Sequence, residues 1–105
     1  MEIEEIVLKF DKHLKESYGV RETGGFILLN PPVVTVSKNK KEEPEIKDAR
    51  EFEYEGAMIR YEMKKAGVPL GSELKAVMEY KGKKYCIEAV FNPMAIIEYW
   101  VFPVK

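Results

Sequence analysis

The chain has 105 residues, 46% hydrophobic and 33% charged, with a formal net charge of −1 and a pI near 5.9. That length suits one domain with a modest core. The balanced charge argues against a dedicated nucleic-acid binder, and the single cysteine excludes an internal disulfide or a multi-cysteine zinc site.

Residues 2 to 18 are expected to be a helix. Ile3, Ile6, Val7, Phe10, Leu14 and Tyr18 form an apolar stripe at helical spacing. Glu2, Glu4 and Glu5 suit the positive end of the dipole, and Gly19 is a natural C-terminal cap. Glu5 with Lys9, and Asp11 with Lys15, are i,i+4 pairs in the favourable order. This acidic start is unlike a signal peptide. No segment approaches the length of a membrane span, so an intracellular, cytoplasmic protein is expected. Charge carried by Glu and Lys, with no Gln, points to a thermophilic source.

"GGFILLN", residues 24–30, has the pattern of a short strand stopped by Pro31 and Pro32. "VVTVS", residues 33–37, continues as an edge or extended segment. Residues 38–51, "KNKKEEPEIKDARE", are nearly all charged, with Ile46 the one large apolar side chain. They have little to bury and are expected to form a mobile loop or arm.

From Phe52 the period becomes two, and its phase flips at Gly56, which implies a bulge or sharp bend. "YEMKKAG", residues 61–67, fits a short helical turn before a tight connection at Val68–Gly71. Leu74, Ala76, Met78 and Tyr80 alternate, as do Tyr85, Ile87, Ala89 and Phe91. Lys81–Gly82 can form the two-residue turn between them. Asn92–Pro93 marks another turn, and residues 95–104 make a last strand, apolar on both faces. One helix followed by five or six strands implies α+β: a small, strongly bent antiparallel sheet or partly closed β-barrel with the helix packed on or beside it.

Chemistry-bearing motifs are sparse. His13 sits at the edge of the helical stripe and Cys86 within a strand, each with a structural role as its default. Glu53 and Glu55 share a strand face, more simply read as solvated than as a carboxylate pair. There is no calcium loop, phosphate loop or dinucleotide fingerprint, so no cofactor, no metal and no catalytic residue is expected. Lys81, Lys83 and Lys84, beside Tyr80 and Tyr85, form a candidate patch for single-stranded nucleic acid. They would serve an alternative function as a small barrel-like binding module for nucleic acid or a peptide. The run Tyr99–Trp100–Val101–Phe102 supplies large residues to both faces of its strand; the face away from the core is covered by the helix or by a second chain.

In element order and hairpin spacing the chain resembles the small head–tail joining, or tail-attachment, proteins of tailed bacteriophages and prophages. The residues that carry this are Gly71, Leu74, Gly82, Tyr85, Ile87 and Val90, and in outline it covers the helix and residues 58–104. The resemblance implies a non-enzymatic virion protein that assembles as a homo-oligomeric ring between portal and tail proteins. A ring needs heterologous contacts, for which Val33, Val34, Val36, Ile46, Tyr99, Trp100 and Phe102 are the interface candidates.

Overall fold

The computed structural model describes residues 2–18, 31–65, 72–91 and 96–105. The element order is α1 (Glu2–Tyr18), β1 (Val33–Val36), β2 (Arg50–Tyr54), β3 (Ala57–Lys65), β4 (Ser72–Tyr80), β5 (Lys83–Phe91) and β6 (Ile96–Pro103). The six strands form one sheet in the order β1-β6-β5-β4-β3-β2. The fold is therefore α+β. The sheet is open, and it is mixed, because β1 runs parallel to β6 while every other neighbouring pair is antiparallel.

The helix forms where the stripe places it. Ile6, Val7, Phe10 and Leu14 are buried against one face of the sheet. That face is Ala57, Ile59 and Tyr61 of β3, Leu74, Ala76 and Met78 of β4, Ile87 of β5, and Ile96, Tyr99 and Val101 of β6. Phe10 lies at its centre, with ring centroids 5.2 Å from Tyr61, edge-on, and 5.7 Å from Phe52. The helix backbone comes nearest the edge strands β1 and β2, so the sheet curls around it without closing. The Glu2 and Glu5 carboxylates accept hydrogen bonds from the Tyr80 and Tyr54 hydroxyls at 2.7 and 3.0 Å. Lys9 lies over the Tyr54 ring.

Two tight hairpins carry the meander. Lys81 and Gly82 both have positive φ, 51° and 76°, and so do Glu55 and Gly56, 48° and 81°. Both are two-residue turns whose central residues adopt the left-handed conformation that matches strand twist. At the second, Tyr54 pairs with Ala57, which explains the flipped phase: a two-residue turn returns the chain to the same face. The expected helical turn after Tyr61 does not form. Tyr61–Lys65 continue β3, paired residue by residue with β4 down to Ser72. The expected strand at 24–30, the Gly19 cap, the connection at 68–71 and the turn at Asn92 lie outside the described residues.

Where a free arm is expected over 38–51, the structure lays residues 37–49 across the sheet as a strap, and Arg50 and Glu51 already belong to β2. The topology requires it. β1 and β2 occupy opposite edges, five strand spacings or about 24 Å apart, and the chain must cross the face opposite α1 to join them. The strap is tied by backbone groups. Ser37 N–H donates to the Val101 carbonyl, Lys41 N–H to that of Pro103, and Lys105 N–H to that of Lys41. Val77 and Cys86 point to this face yet are buried. They sit beneath a strap that brings half-buried Pro44 and Ile46 with it.

Candidate functional site

Three places bring polar or reactive side chains together. The first is the seam between helix and sheet. His13 Nε2 lies 2.8 Å from the Tyr61 hydroxyl, and its ring lies 4.8 Å from that of Phe52. The Tyr99 hydroxyl donates to Asp11 Oδ1 at 2.7 Å, and Asp11 Oδ2 meets Lys15 Nζ at 3.0 Å. Burial, with Asp11 beside it, pushes the Tyr99 phenol well above its ordinary range, so it stays a hydrogen-bond donor. Each of these groups has a partner, and the His13–Tyr61 and Asp11–Tyr99 pairs tie α1 to the sheet. That is a structural use of the side chains that most resemble catalytic ones.

The second is the lysine hairpin. Lys81 Nζ binds Glu2 Oε2 at 3.0 Å. Lys84 Nζ lies 3.2 Å from Glu43 and 3.7 Å from Glu79. Two of the three lysines proposed for nucleic acid thus face carboxylates, and the patch offers little net positive charge to a phosphate backbone. Cys86, beneath the strap, donates its thiol to the Glu42 carbonyl at 3.4 Å. Burial, then Glu88 and Glu43, raises its pKa, the reverse of what a nucleophilic cysteine needs. Glu53 stands exposed on β2, and Glu55 lies in the turn that follows it. Among the described residues no group of three His, Cys, Asp or Glu could hold a metal ion, and no helix is long and apolar enough to cross a membrane.

The third place is the sheet face that α1 leaves open, and it collects the interface candidates selectively. Register places Val33, Glu98 and Val90 in one row across β1, β6 and β5, then Thr35, Trp100 and Glu88 in the next. Phe102 follows, beside Cys86. Trp100 and Phe102 stack, with centroids 6.1 Å apart. Lys41 covers Phe102, its Nζ 4.3 Å from the ring centroid and 2.7 Å from Glu88 Oε2. The strap ends its cover there. Val33 is 59% exposed and Val90 38%, and Trp100 lies half-buried in the row beside them.

Val33, Trp100 and Phe102 therefore belong to a surface. Tyr99 is fully buried, Val34 and Val36 pack against the core under α1, and Ile46 is spent on the strap. Val90 and Thr35 complete the patch. Their signal was the period-two alternation itself, which assigns them to the Trp100 face once β1 and β5 are known to flank β6.

At its far end the strap is held by a carboxylate. The nearly buried Glu62 accepts the Asp48 backbone N–H through Oε1 at 3.1 Å. That bond, with Lys64 nearby, holds the Glu62 carboxyl below its ordinary range against the opposing effect of burial. A carboxylate with a depressed folded-state pKa contributes stability above its unfolded value, near 4.5, and the contribution is lost as pH falls through the lower folded value. Wild type should therefore lose more stability than Glu62→Gln between pH 7 and pH 3 in urea unfolding. Parallel pH profiles for the two proteins would show that Glu62 does not hold the strap.

No family model, no curated protein and no solved structure matches this chain.

Proposed function

We propose that this protein is a structural assembly subunit of the kind that joins head to tail in tailed bacteriophages and prophages. It acts by self-association and by docking between portal and tail proteins, without catalysis, and passes from the cytoplasm into the virion. The observation that carries this reading is the apolar patch of Val33, Val90 and Trp100 on the open face, next to the edge strand β1. Among the described residues neither α1 nor the strap covers it; Glu98 stands between Val33 and Val90, and Glu88 stands beside Trp100. Exposed apolar side chains set among charged ones support a docking face. The reactive side chains support the same reading, since His13, Tyr61, Tyr99, Asp11 and Cys86 are each engaged in holding the fold.

The test is sedimentation and native mass spectrometry over a wide concentration range, with and without portal and tail proteins. Wild type should form oligomers or bind those partners. Val33→Lys and Val90→Lys should abolish both while leaving the circular dichroism spectrum unchanged, because both side chains are exposed. A wild-type chain that stays monomeric at millimolar concentration and ignores both partners would overturn the proposal.

A further inference from the structure

We infer that the interior of the sheet holds a peptide site: a fork between β4 and β5 that receives an extended segment of a partner chain as an added strand. This goes beyond self-association and does not depend on it.

The fork lies where the pairing of two neighbouring strands stops. β4 and β5 pair from their turn only as far as Ala76 with Ile87, yet both strands run on. Ser72–Lys75 stay paired with β3, down to Lys65. Glu88–Phe91 stay paired with β6, with a register shift between Val90 and Phe91. Each wall is thus held by its outer neighbour, and among the described residues no strand pairs with the two sides that face each other. Alternate residues of a strand present their N–H and C=O groups to opposite neighbours. Both walls therefore carry backbone donors and acceptors without ladder partners, the arrangement by which a sheet takes up an extended peptide. At four residues a side, the fork is about 13 Å deep.

The fork also encloses space. A cavity of about 390 Å³ lies in it, with Leu74 and Ala76 on one wall and Ile87, Ala89 and Phe91 on the other. That volume is within the range of ligand pockets. The strap marks the closed end: Glu42 and Pro44 line the cavity there, and the Glu42 carbonyl accepts the Cys86 thiol.

The two sides of the fork differ in chemistry. Leu74, Ala76, Ile87, Ala89 and Phe91 belong to the α1 side and to the core cluster, so the floor is apolar. The mouth, on the opposite side, carries exposed Glu42, Glu73 and Glu88 and half-buried Lys75. A strand that enters the fork points alternate side chains to floor and mouth. The segment that fits is extended, apolar at every second residue and polar between. Because β4 and β5 are antiparallel, it runs parallel to one wall and antiparallel to the other, a mixture this sheet already contains at β1 and β6.

The experiment is fluorescence anisotropy on the full chain with blocked, labelled hexapeptides that alternate lysine with valine, leucine or phenylalanine. At least one should bind, and the same residues with the apolar ones made contiguous should bind more weakly. N-methylation of the odd residues removes the hydrogen bonds to one wall and of the even residues those to the other, so each set should weaken binding by about tenfold or more. Amide exchange should slow on binding within both 73–75 and 88–90. Ala89→Phe, which fills the floor, should abolish binding with the circular dichroism spectrum unchanged; should that variant unfold, the methylated peptides decide the matter on wild type. The site is overturned if no alternating peptide binds at millimolar concentration. It is equally overturned if only one methylated set weakens binding, which is the signature of addition at an outer edge, or if only one wall is protected. Oligomers of the wild-type chain are measured without peptide, so failure here leaves the self-association reading standing.

Discussion

Phe10→Ala is expected to destabilise the protein by about 3–5 kcal/mol, the range for truncating a fully buried aromatic. The ring has no exposed surface. It meets Tyr61 edge-on and Phe52 at a tilt, arrangements that add to simple burial. It also sits midway along the stripe by which α1 is held, between Val7 and Leu14. A cavity here loosens the whole helix, because a single helix of this length gains its stability from packing. A domain of this size has about 5–15 kcal/mol in total, so the variant should be partly unfolded well below the wild-type melting temperature. Phe10→Leu, which keeps most of the volume, should lose much less. Urea unfolding measures both. A loss under about 1 kcal/mol for the alanine variant would mean that the helix is not seated on the sheet as described.

The helix was legible because its signal is local and periodic: six apolar positions specify a face, and four of them form the floor of the core. The hairpins were legible where glycine follows a residue able to take positive φ, as at Lys81–Gly82. The partner of β1 was not, since the first strand pairs with the last and no local pattern encodes that contact. β3 was read too short because Glu62, Lys64 and Lys65 make its second half polar. Glu62 and Lys64 point to the face opposite α1, and two polar side chains there mimic the end of a strand.

The strap was least legible. Its side chains are charged and mostly exposed, which is why 38–51 resembles a free arm. Yet what holds it is largely backbone: the N–H groups of Ser37, Lys41 and Asp48 and the carbonyls of Lys41 and Glu42. Backbone hydrogen bonds leave no trace in residue type. The same limit divided the interface candidates. Alternation separates Tyr99 from Trp100 and Val33 from Val34, but only the position of α1 decides which face is core. The surroundings of the lysine patch were hidden for a related reason. Glu2 and Glu43, which face Lys81 and Lys84, are remote from them in sequence.

Breaking the buried bond between Tyr99 and Asp11 should cost about 1.5–3 kcal/mol from either side, the range for a hydrogen bond to a charged group. Tyr99 has no exposed surface, and Asp11 is 5% exposed. Tyr99→Phe keeps the ring and removes the donor, so the Asp11 carboxylate loses its 2.7 Å partner inside the protein. Asp11→Ala leaves the Tyr99 hydroxyl without this acceptor and takes the Asp11 carboxylate from Lys15. Each single change removes one half of the bond and leaves the other in the core, the Tyr99 hydroxyl without this acceptor or Asp11 with Lys15 but without this donor, which is the expensive half of losing a hydrogen bond. The double variant Asp11→Ala/Tyr99→Phe strands neither of these two, so its loss should be smaller than the sum of the singles. The difference is the coupling energy, expected in the range of about 0.5–3 kcal/mol. The phenol should also show no tyrosinate absorbance until the protein unfolds in alkali, since burial and Asp11 both oppose its ionisation. Strictly additive losses in the cycle would mean that the two residues stabilise the helix–sheet seam independently.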